Sequence, residues 1–224
     1  MKASFLTLLL PEDRALSDPL PVTSASIERA GEAPLAESAA RCATRGKTMH
    51  EVLILLGDGD RRSIGNVDAV IAAVEHDPSC FDVLFHSLFS DDPLIRMRSA
   101  DAIEKISRKH PDWLQPYKRQ LLTQVAQSEQ QEVRWHVAQL FPRLAADQHE
   151  RTAMVRVLLD YLNDPSQIVK VCALQALADL SAHDPVLRRQ TITILEQVTE
   201  IGSPAVKSRG RKLLQQLTTQ SPHR

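Results

Sequence analysis

The chain has 224 residues, with 27 Lys and Arg against 28 Asp and Glu, a net charge of −1. An apolar fraction of 43% with so little net charge excludes a disordered chain. The near-neutral balance argues against a domain devoted to nucleic acid, which is usually far more basic. With 7 Gly and 13 Pro, collagen and Gly-rich cofactor folds are excluded as well.

Residues 1–48 hold Pro11, Pro19, Pro21 and Pro34 and show no sustained period of 3.6. They are expected to form a loosely ordered N-terminal segment. The apolar stretch Ala3 to Leu10 meets Glu12 and Asp13 at once, which is not the pattern of a secretory signal. No stretch is apolar for the length of about 18 residues that a spanning helix needs, so no membrane association is expected. Gly46-Lys47-Thr48 looks like the end of a phosphate-binding loop, but the first Gly of such a loop would fall at Arg41. Met49 opens the first strongly patterned segment and is a candidate start of translation. Cys42, Cys80 and Cys172 lie far apart without a CxxC pair, which reads as three lone thiols in a reducing, cytoplasmic setting.

From Met49 a repeat sets in. Ile95-Arg96, Val133-Arg134, Val169-Lys170 and Val206-Lys207 each pair a β-branched residue with a cation, at steps of 38, 36 and 37 residues. Apolar or small residues follow at helical spacing, as in Ala173, Leu174, Ala176, Leu177 and Leu180. A fainter first copy runs Val67, Val70, Ile71, Val74. An apolar helix ends shortly before each anchor, and a polar turn such as Ser90-Asp91-Asp92-Pro93 or Asn163-Asp164-Pro165-Ser166 intervenes. Asp or Ser caps free N–H groups at a helix start, and Pro suits the first turn. Each unit therefore reads as helix, tight turn, helix.

The segments 91–106 (DDPLIRMRSADAIEKI) and 163–180 (NDPSQIVKVCALQALADL) resemble the HEAT repeat family, an armadillo-like group, over roughly residues 49–218. The resemblance implies an all-α fold, a right-handed α-α superhelix (solenoid) of about five antiparallel helix pairs whose second helices line a concave face. Residues 219–224 would be a short tail. A lone helix pair cannot bury its apolar stripe, and stacking neighbours does.

Several chemical motifs fail on inspection. Gly57-Asp58-Gly59-Asp60 places Arg62 and Ile64 where a calcium loop needs oxygen ligands, so it reads as the turn of the first helix pair. His76, His110, His149 and His183 recur once per repeat, but helices 8–10 Å apart do not bring such residues to one metal. No GxSxG or HExxH is present, so no catalytic residue, metal site or cofactor is assigned. The cations Arg96, Arg134, Lys170 and Lys207 read either as a basic groove or as an internal ladder that pairs with turn acids such as Asp92 and Asp164. The resemblance favours the ladder.

At 100° per residue the buried arc of a second helix takes the anchor and positions four, five, seven, eight and eleven. The open arc takes positions two, three, six, nine and ten. Met97, Trp135 and Val171 then form an apolar stripe, flanked by Arg98, His136 and Arg209, with Lys105 and Arg143 further along the helices. Exposed Trp and Arg are common binding hot spots, so a non-enzymatic scaffold that holds a protein partner along this face is the first expectation. The C-terminal repeat is basic through Lys207, Arg209, Arg211 and Lys212. It supports an alternative in which the protein binds nucleic acid, as HEAT-like DNA repair proteins do. A second alternative, from the same resemblance, is an enzyme of the bilin lyase type. Pro142 is expected to end or kink its helix.

Overall fold

The computed structural model describes residues 49–58 and 65–219. Residues 1–48 and the tail after Thr219 lie outside the described residues, as does the Gly46-Lys47-Thr48 motif. The described residues hold ten α-helices and no strand, and they fall into two compact units that meet in sequence at Trp113 and Leu114.

The N-terminal unit contains α1 (Met49–Gly57), α2 (Val67–His76), α3 (Phe81–His86) and α4 (Pro93–Ser107). Helix α4 packs against α1, α2 and α3. Leu56, Val70, Val74, Leu84, Phe85, Ile103 and Ile106 are completely buried between them. Helix α4 starts where the sequence marks it: Asp92 Oδ1 accepts from the Leu94 N–H at 2.8 Å, with Pro93 in the first turn. Trp113 stacks on His110 (centroids 4.2 Å apart) and meets Phe81 edge-on.

The C-terminal unit contains α5 (Lys118–Thr123), α6 (Gln131–Leu140), α7 (Gln148–Tyr161), α8 (Gln167–Leu180), α9 (Pro185–Ile201) and α10 (Pro204–Thr219). The second helices α6, α8 and α10 pack side by side, and the first helices α5 and α7 do the same. Val133, Val169 and Val206 are all buried, as the anchor reading requires, and Val137, Ala138, Leu140, Phe141 and Leu144 follow the expected arc. The anchor Ile95 of the N-terminal unit is only half-buried. Helix α7 opens with a reciprocal cap, in which Asp147 accepts from the Glu150 N–H (2.8 Å) and Glu150 from the Asp147 N–H (2.9 Å). Pro142 ends α6 at Leu140, and a 3₁₀ turn over Phe141–Arg143 follows. The first helix of this repeat is also shorter than expected, because Pro116 lies in a 3₁₀ stretch over Pro111–Tyr117.

The cations after the anchors form an internal ladder, and its acceptors are mostly backbone carbonyls. Arg96 donates to the carbonyls of Ser90 (2.7 Å) and Asp91 (3.0 Å). Arg134 donates to the Ser128 carbonyl (2.6 Å) and to Asp164 Oδ2 (2.7 Å), in the turn of the next repeat. Lys207 donates to the Glu200 carbonyl at 2.7 Å. Lys170 makes no such bond among the described residues. A cation placed here satisfies carbonyls left open at the end of the preceding helix.

One sequence expectation is corrected. Cys80 is buried and disulfide-bonded, while Cys172 keeps a free thiol. Linear spacing carries no information on which distant thiol a buried one meets, and the thiol count no longer argues for a reducing compartment.

Candidate functional site

The outer face of α6, α8 and α10 is built by register. Residues at the same helical position recur in the three helices: Trp135, Val171 and Ser208 in one row, His136, Cys172 and Arg209 in the next. Two hydrogen bonds tie the rows across the helices at matching positions. Gln139 Nε2 donates to Cys172 Sγ at 3.4 Å, and Arg209 Nη1 donates to Gln175 Oε1 at 3.0 Å. Gln139 and Gln175 lie three residues beyond the second row, where 3.6 residues per turn bring them back to the same face.

Along this face the chemistry changes from one end to the other. Near the starts of the helices Ile168 is 54% exposed, with Trp135 and Val171 half-buried. From mid-helix onward stand Lys212 in α10, Asp179 in the last turn of α8 and Arg143 in the 3₁₀ turn after α6. Gln175 links the two charged kinds, because its carbonyl accepts from Arg209 while its amide donates to Asp179 Oδ1 at 2.8 Å. Desolvation raises the Asp179 carboxyl above the ordinary range, against the Gln175 bond and the charges of Arg209 and Arg143. Lys212 is exposed and makes no hydrogen bond or ion pair among the described residues.

Two residues expected on the open arc are interior instead. Arg98 of α4 is 0% exposed, and its Nη1 donates to the carbonyls of Leu56 (2.6 Å) and Asp58 (2.7 Å). It closes the C-terminal end of α1, where open carbonyls and the negative end of the helix dipole favour a cation. Gly65, with φ +57°, leaves the room: a Cβ there would lie 2.5 Å from Arg98 Cζ. His136 is 8% exposed and packs beside Trp135, the ring centroids 5.7 Å apart. Neither presents a surface to a partner. Met97 is half-buried on α4.

Of the basic C-terminal residues, Arg209, Arg211 and Lys212 are exposed, whereas Lys207 is half-buried and spent on the Glu200 carbonyl. Arg211 Nε turns back to the Lys207 carbonyl at 3.3 Å. The four cations are spread around the polar side of α10 and do not form one cluster. Sequence reasoning missed Ile168 and the Gln139 and Gln175 links. Ile168 sits one residue before an anchor, a position of the open arc that the wheel left unassigned. Among the described residues no three His, Cys, Asp or Glu side chains are grouped to hold a metal ion, and no helix is long and apolar enough to cross a membrane.

Stacked helix pairs with aligned second helices define a helical-repeat scaffold. A family model for the HEAT repeat domain matches residues 59–217, and the chain belongs to that family. No curated protein matches. Among solved structures, two engineered proteins of a structural genomics consortium share the fold, each at 16% identity and a TM-score of 0.52. One match covers 84% of this chain and 85% of the other, the second 92% and 96%.

Proposed function

We propose that the protein is a non-enzymatic interaction scaffold that holds a protein partner on the outer face of α6, α8 and α10. The observation that carries this reading is the register of that face. Trp135, Ile168, Val171 and Arg209 are displayed on three helices that are cross-linked at matching positions, with Arg143 in the turn that follows α6. A surface preassembled in this way lowers the ordering cost of association. Trp and Arg are the side chains that most often dominate binding energy.

A pull-down from nuclease-treated native extract, with the intact chain beside Trp135→Ala, tests the reading. Proteins retained by the intact chain and lost with Trp135→Ala are expected. If every retained protein is indifferent to Trp135, this face is not the docking surface. If retention disappears with nuclease treatment alone, the nucleic-acid alternative replaces it.

A further inference from the structure

We infer that the segment held on this face is acidic at one end and apolar at the other; the inference rests on the scaffold reading above. The charge of the chain is unevenly divided. Residues 49–113 carry twelve acidic and seven basic side chains, and residues 114–224 carry ten acidic and fourteen basic. The excess of positive charge therefore belongs to the unit that holds the face. On the face itself, the charged end displays Arg143, Arg209 and Lys212 against one acid, Asp179.

That acid does not pair directly with Arg209. The amide of Gln175 stands between them, bound to Arg209 on one side and to Asp179 on the other. Arg209 makes only this neutral hydrogen bond, and Lys212 makes none among the described residues. Both cations keep donors that a carboxylate can take, and hydrogen bonds between charged groups are the stronger kind. The helices α6, α8 and α10 run the same way, with Ile168 first and the row of Trp135 and Val171 three residues on. Arg209 is rooted one residue beyond that row, but its guanidinium reaches Gln175, at the helical position that Lys212 holds in α10, so the two cations stand about one turn beyond the apolar row. A segment that satisfies both ends carries apolar side chains first and Asp or Glu a few residues away. A nucleic acid fits less well: its phosphates repeat evenly along the strand, whereas on this face the cations follow an apolar row.

The test is a selection of random twelve-residue phage-displayed peptides on the immobilised full chain, repeated on Lys212→Glu, on the double variant Arg209→Glu/Lys212→Glu and on Trp135→Ala. Lys212 is exposed and makes no hydrogen bond or ion pair among the described residues, so its reversal is expected to change charge without loosening the fold. Circular dichroism of each variant confirms that. Peptides enriched on the intact chain are expected to combine acidic and apolar residues. Their affinity should fall about tenfold with the double charge reversal, and similarly with Trp135→Ala. Arg119→Glu, an exposed cation of α5 on the first-helix side, should leave it unchanged.

Enriched peptides that need Trp135 but are neutral or basic overturn this inference and leave the scaffold reading standing. Peptides indifferent to Trp135, or no enrichment at all, overturn both. Displacement of acidic peptides by oligothymidine, with the same dependence on Lys212 and Arg209, assigns the cations to nucleic acid and also overturns it.

Discussion

Arg98 in the N-terminal unit and Arg134 in the C-terminal unit both tie a second helix to a distant stretch of chain, but they meet different acceptors. Arg98 is fully buried and donates to two backbone carbonyls at the end of α1, 40 and 42 residues away. Arg134 is partly exposed and donates to one carbonyl and to the Asp164 carboxylate, 30 residues away, with its guanidinium 5.5 Å from the Tyr161 ring centre. Tyr161 is itself anchored, its hydroxyl donating to the Ala126 carbonyl at 2.8 Å, and burial pushes its phenol well above the usual range. The joint at Arg98 depends on a single side chain. The joint at Arg134 is shared among several groups that can be removed one at a time.

The largest effect should come from Arg98. Arg98→Ala removes the donors for two carbonyls and leaves a cavity the size of a guanidinium beside Gly65. The expected loss is roughly 3–5 kcal/mol, read as a lower urea midpoint at unchanged slope. Amide exchange should show α1 losing protection first. A loss below about 1 kcal/mol, within the range of an ordinary surface change, would mean that α1 does not depend on this cap.

At Arg134 the cost should be smaller and divisible. Asp164 is buried and also accepts from the Ser166 N–H at 2.7 Å through Oδ1. Asp164→Asn keeps that turn while removing the charge. A cycle of Arg134→Ala, Asp164→Asn and the double variant should give a coupling of about 1–2 kcal/mol. Arg134→Ala alone should cost more than the coupling, because the Ser128 carbonyl loses its donor too. A coupling near zero would reduce the pair to a bystander of the packing.

The contrast explains what the sequence disclosed. The anchors Val133, Val169 and Val206, the arcs behind them, the break at Pro142 and the cap at Asp92 are local features. They follow from side chains within one or two turns, and the period of about 37 residues exposes them by repetition. Arg98 occupies the same helical position as His136, Cys172 and Arg209, and periodicity alone places it on the open arc. What draws it inward is the end of α1, a long-range contact that no spacing rule contains. Gly65 with its positive φ was the local trace of it, and it acquires meaning only once Arg98 is placed. Of the candidate face, Trp135, Val171, Arg143 and Arg209 were legible because they follow the repeat. The glutamine links were not: the wheel puts Gln139 and Gln175 on the open arc, but it does not say which side chain of the neighbouring helix each one meets.

Burial of a polar group has opposite consequences at Arg98 and at Thr191. Arg98 has its acceptors. Thr191, completely buried in α9, has a hydroxyl with no hydrogen-bond partner among the described residues. Thr191→Val keeps the branched shape and removes the stranded oxygen, so stability should rise by about 1 kcal/mol. No gain in melting temperature would show that the hydroxyl is satisfied in solution, for example by a water molecule.

The smallest expected effect concerns Asp179, and it is visible as a slope rather than a midpoint. Its folded-state carboxyl titrates above the ordinary carboxylate range because desolvation outweighs the Gln175 bond and the nearby Arg209 and Arg143. The folded chain therefore holds this proton more tightly than the unfolded chain does. Below the unfolded value both states are protonated there, and the residue costs nothing. As pH rises from that value through the raised folded one, the folded state must ionise a disfavoured group, so stability falls across that window and stays lower above it. Asp179→Asn should remove this contribution. The variant should gain stability relative to the intact chain at neutral pH and none at a pH below the carboxylate range. Equal gains at both pH values would trace the effect to packing. A loss at neutral pH would mean that Arg209 and Arg143 depend on the Asp179 charge, and that the charged end of the face is less open to a partner's carboxylate than the Gln175 bridge makes it.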